Sequence, residues 1–203
     1  MEIILILDYI GTFAFAVSGA MLAVEKEMDI IGLLILASFT GIGGGILRDI
    51  IIGKIPPTVF SESEYFYIIF IATILVFFFY KFFKELEDIV VIGDAIGLGT
   101  FTIIGIEKAL AYNMNILSSI IMGVITPTFG GMIRDVLANR IPFILKSEIY
   151  LSLCILGGLI FFIMRDILSF DKNIIYFVII LIVSGIRIVA YFKKWNLPRV
   201  KLK

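Results

Sequence analysis

The chain has 203 residues, of which 61% are hydrophobic and 17% charged, and its mean hydropathy is +1.11. Soluble domains carry roughly 45–50% apolar and about 25% charged residues, so this composition excludes a water-soluble fold and implies an integral membrane protein. Basic and acidic residues balance at 17 each, which gives no bulk charge to attract nucleic acid; there is no histidine, and the one cysteine allows no internal disulfide.

Seven membrane-length helices are predicted, at about residues 2–24, 30–53, 65–83, 89–112, 115–138, 148–168 and 173–192. The first opens without the basic region of a signal peptide and is expected to be retained; it carries Asp8. The second contains Thr40-Gly41-Ile42-Gly43-Gly44-Gly45-Ile46-Leu47-Arg48-Asp49. The third ends in Phe77-Phe78-Phe79-Tyr80, an expected lipid or interface face. The fourth carries Asp94 and, near its end, Glu107-Lys108, with Lys108 expected to snorkel to the membrane surface. The fifth contains Thr126-Pro127-Thr128-Phe129-Gly130-Gly131-Met132-Ile133-Arg134-Asp135. The sixth buries Cys154, and the seventh carries Arg187, also expected to snorkel, before a basic tail.

The second and fifth helices share one pattern, displaced by 86 residues, and both run on to Ile-Pro at Ile55-Pro56 and Ile141-Pro142. The same offset maps Asp8 onto Asp94, Gly11 onto Gly97, Gly19 onto Gly105 and Ser61-Glu62 onto Ser147-Glu148. The chain therefore reads as all-α, with seven transmembrane helices in two three-helix repeats plus a seventh helix. The expected segments are repeat one 1–86, repeat two 87–172, helix seven 173–192 and a basic tail 193–203. Three is an odd number, so the repeats must be inverted relative to one another, a plan recurrent in transport proteins. Basic residues gather at Lys26, Lys81, Lys84, Arg140, Lys146, Lys193, Lys194, Arg199, Lys201 and Lys203. That face is expected in the cytoplasm with the C-terminus, which leaves the N-terminus outside a multi-pass cell-membrane protein.

Three glycines in a row weaken a helix by several tenths to about 1 kcal/mol each, and Pro127 removes a backbone donor. A kink or short unwound stretch is expected at Gly43-Gly44-Gly45 and at Pro127 with Gly130-Gly131, where freed carbonyls would face protein or a water-filled path. Gly41 and Gly45 also make a GxxxG spacing, which serves close helix packing. The neighbouring charges favour a lined path, since packing has no need of them. Asp8 and Arg48 lie roughly 7–9 Å inside one membrane edge, at 1.5 Å per residue, and Asp94 and Arg134 mirror them at the other. Asp8 is therefore expected to pair with Arg48 and Asp94 with Arg134. Asp49 and Asp135 add a second carboxylate at each level, giving a local charge of about −1 that favours cations. Hydroxyls at Thr12, Ser18, Ser38, Thr40, Thr100, Thr102, Thr126 and Thr128 either line the path or bond carbonyls of their own helices. Without histidine no Ser-His or Cys-His catalytic pair exists, so no enzyme is expected.

The tandem Gly-Gly-Gly-x-x-Arg-Asp and Gly-Gly-x-x-Arg-Asp segments, each followed by Ile-Pro and preceded by Asp8 or Asp94, resemble the prokaryotic trimeric intracellular cation (TRIC) channels. The resemblance covers the first six helices, with a seventh in the expected place. It implies a homotrimer in membrane lipid, each subunit with its own pore lined by kinked helices 2 and 5. Potassium or another monovalent cation such as sodium would permeate, with no cofactor and no bound metal. The second copy departs from the first, with Pro127, Thr128 and Phe129 in place of Gly41, Ile42 and Gly43, so the pore is expected to be only approximately symmetric. The same family is also labelled as glycine transporters, which keeps a carrier of glycine or another small zwitterion as the alternative.

Overall fold

The computed structural model describes residues 2–85, 87–146 and 149–195; Ser147, Glu148, Arg199, Lys201 and Lys203 lie outside the described residues. The elements are α1 (Glu2–Glu25), α2 (Ile30–Ile51), α3 (Thr58–Ser61), α4 (Glu64–Glu85), α5 (Glu87–Ala111), α6 (Ile116–Leu137), α7 (Phe143–Lys146), α8 (Leu151–Phe162) continued by a π-helical turn (Ile163–Ile167), and α9 (Lys172–Phe192). Helices α1, α2, α4, α6 and α9 are each long and apolar enough to cross a membrane. The 25-residue α5, about 38 Å long, and α8 with its π turn complete the seven predicted helices. The one-turn helices α3 and α7, which the sequence pattern does not signal, each follow the Ile-Pro step.

The duplication is visible in the local structure. Asp29 caps α2 by accepting from Gly32 N at 2.7 Å, and Asn115 caps α6 by accepting from Ser118 N at 2.9 Å. The chain enters those caps through left-handed residues, Glu27 (φ 55°) and Asn113 (φ 58°). It leaves the two helices through Gly53 (φ 82°) and Asn139 (φ 55°). Every one of these pairs is separated by the same 86 residues.

Contacts between the repeats are reciprocal. A Cβ placed on Gly11 would lie 2.8 Å from the Phe101 ring, and one on Gly97 would lie 2.8 Å from the Phe15 ring. Phe15 and Phe101 meet edge to face at 5.1 Å between α1 and α5. A Cβ on Gly44 would overlap the Thr126 carbonyl oxygen, and one on Gly130 would overlap the Thr40 carbonyl oxygen. Residue i meeting j while j's counterpart meets i's is the signature of a two-fold relation. With three spanning helices per unit, the second unit starts on the opposite side of the membrane, so the axis lies in the membrane plane. The repeats are inverted, as expected.

The glycines do not unwind their helices. Both α2 and α6 are unbroken, with Pro127 inside the latter. Of the two expected alternatives, the unwound stretch is corrected here for a physical reason: Gly44 and Gly130 let two backbones touch, and that contact offsets their poor helix propensity. Pro127 leaves the Gly123 carbonyl without its helical donor, while on either side Thr126 donates to Met122 O at 2.7 Å and Thr128 donates to Val124 O at 2.7 Å.

Each repeat has its own apolar interior. Ala16, Ala20, Ala37, Ile69, Ala72 and Val76 fill the space between α1, α2 and α4. Leu98, Ile103, Leu153, Phe161, Ile179 and Val183 fill the larger space between α5, α8 and α9. Outside, α4 exposes Phe66, Phe70, Phe77, Phe78, Phe79 and Phe82, an apolar face suited to lipid.

Candidate functional site

Two polar centres flank the α2–α6 crossing. In the first, the Arg48 guanidinium pairs with Asp49, with Nε–Oδ1 at 2.9 Å and Nη2–Oδ1 at 2.8 Å. Both side chains are nearly sealed from the surface, at 4% and 1% exposure, a burial that only pairing makes tolerable. The other Asp49 oxygen accepts from Thr58 N at 2.7 Å and Thr58 Oγ1 at 2.6 Å, so it also holds the start of α3. Lys54 Nζ and Lys108 Nζ both donate to Thr58 Oγ1, at 2.8 and 3.2 Å. Asp8 accepts instead from Tyr65 Oη at 2.7 Å.

The second centre repeats the theme. Arg134 pairs with Asp135 at 2.9 Å. Its Nη1 donates to Ser18 Oγ at 2.7 Å, reaching across to α1 of the other repeat. Tyr150 hydrogen-bonds Asp94, as Tyr65 does Asp8. Arg187 of α9 is 3% exposed and stacks over the Tyr150 ring, Cζ to centroid 5.0 Å.

Three expectations are corrected by this geometry. Among the described ion pairs, each arginine's direct salt bridge is to the aspartate beside it in sequence, while Asp8 and Asp94 interact with Arg48 and Arg134 electrostatically without a direct bridge. Lys108 and Arg187 do not snorkel outward but turn into the polar centres. The local charge is therefore not −1. Asp8, Asp49 and Glu62 face Arg48, Lys54 and Lys108 in the first centre, while Asp94 and Asp135 face Arg134 and Arg187 in the second, so both centres balance to zero when all groups are ionised.

The first centre opens toward the crossing. A cavity of about 30 Å³, room for one or two waters, is lined by Asp8, Arg48 and Asp49, by Thr40, Gly44, Gly45 and Thr126 of the crossing, and by Phe15 and Phe101. Gly43, by contrast, faces Ile133 and Gly130, and a Cβ on Gly131 would meet nothing within 4 Å. Most of the hydroxyls bond their own helices: Thr40 to Leu36 O at 2.6 Å, Ser38 to Leu34 O at 2.7 Å, Thr102 to Leu98 O at 2.8 Å. The sequence reading missed Thr58, Lys54, Tyr65 and Tyr150. The two tyrosines were detectable, since they stand 85 residues apart, one short of the repeat. Thr58 was not, because the repeat places Ile144 at its counterpart.

Comparison with known proteins agrees with this duplicated plan. A family model described as glycine transporter matches twice, over residues 5–81 and 91–166. A solved structure concerning the structural basis for conductance through TRIC cation channels superposes with a TM-score of 0.90 at 40% identity, covering 98% of this chain and 97% of that one. The chain belongs to the TRIC family. A TRIC orthologue from Rhodobacter sphaeroides gives a TM-score of 0.89 at 31% identity, covering 96% of this chain and all of the other. Among named relatives, the UPF0126 membrane protein YvgT of Bacillus subtilis is 38% identical over 95% of this chain and 94% of its own length. A UPF0126 membrane protein of Vibrio cholerae is 45% identical over 78% of this chain, a match spanning 66% of that protein. TRIC proteins are membrane proteins rather than enzymes, and the two family-model matches fall on the two repeats while leaving out α9.

Proposed function

We propose that the protein is a passive channel for monovalent cations, potassium among them, with one path in each subunit of a homotrimer. The path runs along the α2–α6 crossing from one polar centre to the other. The observation that carries the reading is the reciprocal contact of Gly44 with Thr126 and Gly130 with Thr40, set between one buried and one half-buried arginine–aspartate pair. Ionised groups at such depth in lipid are costly without a task, and transport is the task they most often serve. The similar solved structures described as TRIC cation channels support the same reading.

Cation preference then rests on placement, since the centres carry no surplus negative charge. Asp8 lines the cavity, and the crossing offers the Thr126 and Thr40 carbonyls, oxygen ligands of the kind that replace a cation's water. The two backbones touch at this level, so conduction requires α2 and α6 to part. The N-terminus is placed outside and the C-terminus in the cytoplasm, on the distribution of lysine and arginine.

The test is recording from purified protein in planar bilayers under a KCl gradient. Unitary currents whose reversal potential follows the potassium gradient are expected. The family model's description as glycine transporter supplies the competing reading. Saturable glycine uptake into liposomes, with no unitary current, would replace the channel by a carrier built on the same residues.

A further inference from the structure

Helix α9 stands outside the two repeats, yet it puts a buried arginine into the second polar centre. Its seat is cut by glycines. A Cβ on Gly99 of α5 would lie 3.1 Å from both Ile180 Cα and Ser184 Oγ, and one on Gly157 of α8 would lie 2.9 Å from Val183 Cγ2. The repeat counterpart of Gly99 is Phe13, so the second copy has a groove where the first has a ring. Ser184 fixes the rotation of α9 by donating to Ala95 O at 2.9 Å, next to Asp94. One turn further, Arg187 stacks on Tyr150, and Tyr150 hydrogen-bonds Asp94. Arg187 and Arg134 both act electrostatically on Asp94.

The first centre has Tyr65 on Asp8 in the equivalent place and, among the described residues, no helix corresponding to α9. Its extra cations are lysines, Lys54 and Lys108, held through one hydroxyl. The two ends of the crossing are thus balanced by different means: hydroxyl-bound ammonium groups at one, a stacked guanidinium at the other.

We propose that Arg187 is the positioning residue that makes conduction asymmetric: it holds Tyr150 on Asp94 and weakens the attraction for cations at the second-repeat end alone. The proposal rests on the channel reading. A fixed unit charge near the path changes the local cation concentration severalfold at low salt and little at high salt, because the screening length falls from about 10 Å at 0.1 M to about 3 Å at 1 M.

The experiment compares full-length wild type with Arg187→Gln, Arg187→Lys and Tyr150→Phe in planar bilayers, in symmetrical KCl at 0.1 M and 1 M. Arg187→Gln is expected to shift the ratio of currents at equal positive and negative voltage by about threefold at 0.1 M, with most of the shift gone at 1 M. Arg187→Lys keeps the charge but not the planar stack on Tyr150, and should move the ratio in the same direction by less than Arg187→Gln. Tyr150→Phe keeps the ring beneath the guanidinium but frees Asp94, and should move the ratio in the same direction by less. A folded Arg187→Gln protein with the wild-type ratio at 0.1 M overturns the proposal and makes Arg187 a packing residue. If Arg187→Gln does not fold, Tyr150→Phe decides, and a wild-type ratio there at 0.1 M overturns the proposal equally. Absence of unitary current in wild type would instead reject the channel reading, so the two failures are distinguishable.

Discussion

Substituting alanine at Gly44, Gly130 and Gly131 separates contact from helix propensity. All three lie in unbroken helices, so alanine gains about 1 kcal/mol of propensity at each. At Gly131 nothing stands within 4 Å of the new methyl, and the gain should survive. At Gly44 the methyl overlaps the Thr126 carbonyl oxygen, and at Gly130 it overlaps the Thr40 carbonyl oxygen; neither is a side chain that can swing away. Overpacking costs about 1–3 kcal/mol where neighbours relax, and backbone against backbone belongs at the upper end. The expected net loss is about 2 kcal/mol at Gly44 and the same at Gly130, because the two sites are repeat counterparts. At about 2–4 °C per kcal/mol for a chain of this size, thermal unfolding in detergent should fall by about 4–8 °C for G44A and G130A and rise by about 2–4 °C for G131A. If G44A and G131A shift the midpoint in the same direction, the α2–α6 contact is wrong. If G44A and G130A differ by more than the spread between replicates, the reciprocal crossing is wrong.

Removing Asp49 with D49N leaves Arg48 buried beside a neutral group and should cost about 3–5 kcal/mol, while the R48M/D49N pair should recover at least half; equal losses in single and double variants would reject the pairing. Tyr65→Phe and Tyr150→Phe each remove one hydrogen bond to a carboxylate, about 1.5–3 kcal/mol by thermal unfolding, and the two losses should agree within about 1 kcal/mol if the tyrosines are equivalent. Lys108→Gln should raise potassium conductance about twofold in 0.1 M KCl and leave it nearly unchanged in 1 M KCl, because Lys108 is an exchangeable cation beside the cavity; a drop in conductance at low salt would contradict that role.

The architecture was legible because duplication multiplies weak signals. A lone Gly-Gly-Gly or a lone buried aspartate says little, but two copies at one offset, together with the odd helix count, fixed both the repeat and its inversion before any coordinate. Proximity was legible too: Asp8 and Arg48, matched by their places along α1 and α2, line one cavity. What failed was azimuth. Asp8 and Arg48 share a level, yet Arg48 turns to its neighbour Asp49, a choice that depends on Thr58 holding the second Asp49 oxygen in place. Lys108 and Arg187 look like ordinary surface-seeking charges near helix ends. Only the packing of α5 on α1 and of α9 on α5 shows which way they point.

The glycine error has a related cause. Low helix propensity is a property of the isolated chain, and in water three glycines would fray a helix. In lipid no solvent competes for freed backbone groups, so an unwound turn is costly and the intact helix wins unless something else binds its carbonyls. Here the freedom glycine provides is volume rather than torsion: Gly19 admits Thr40, Gly44 admits Thr126, and their counterparts Gly105 and Gly130 admit Thr126 and Thr40 in turn. The two threonines at the centre of the crossing are thus each gripped from both sides by glycine. On the proposed channel reading, opening slides a threonine carbonyl off a glycine face, a small motion between smooth backbones. On the same reading the larger resistance lies at the ends, where Asp49 holds Thr58 of α3 and Arg134 holds Ser18 of α1, and it is there that variants should change gating most.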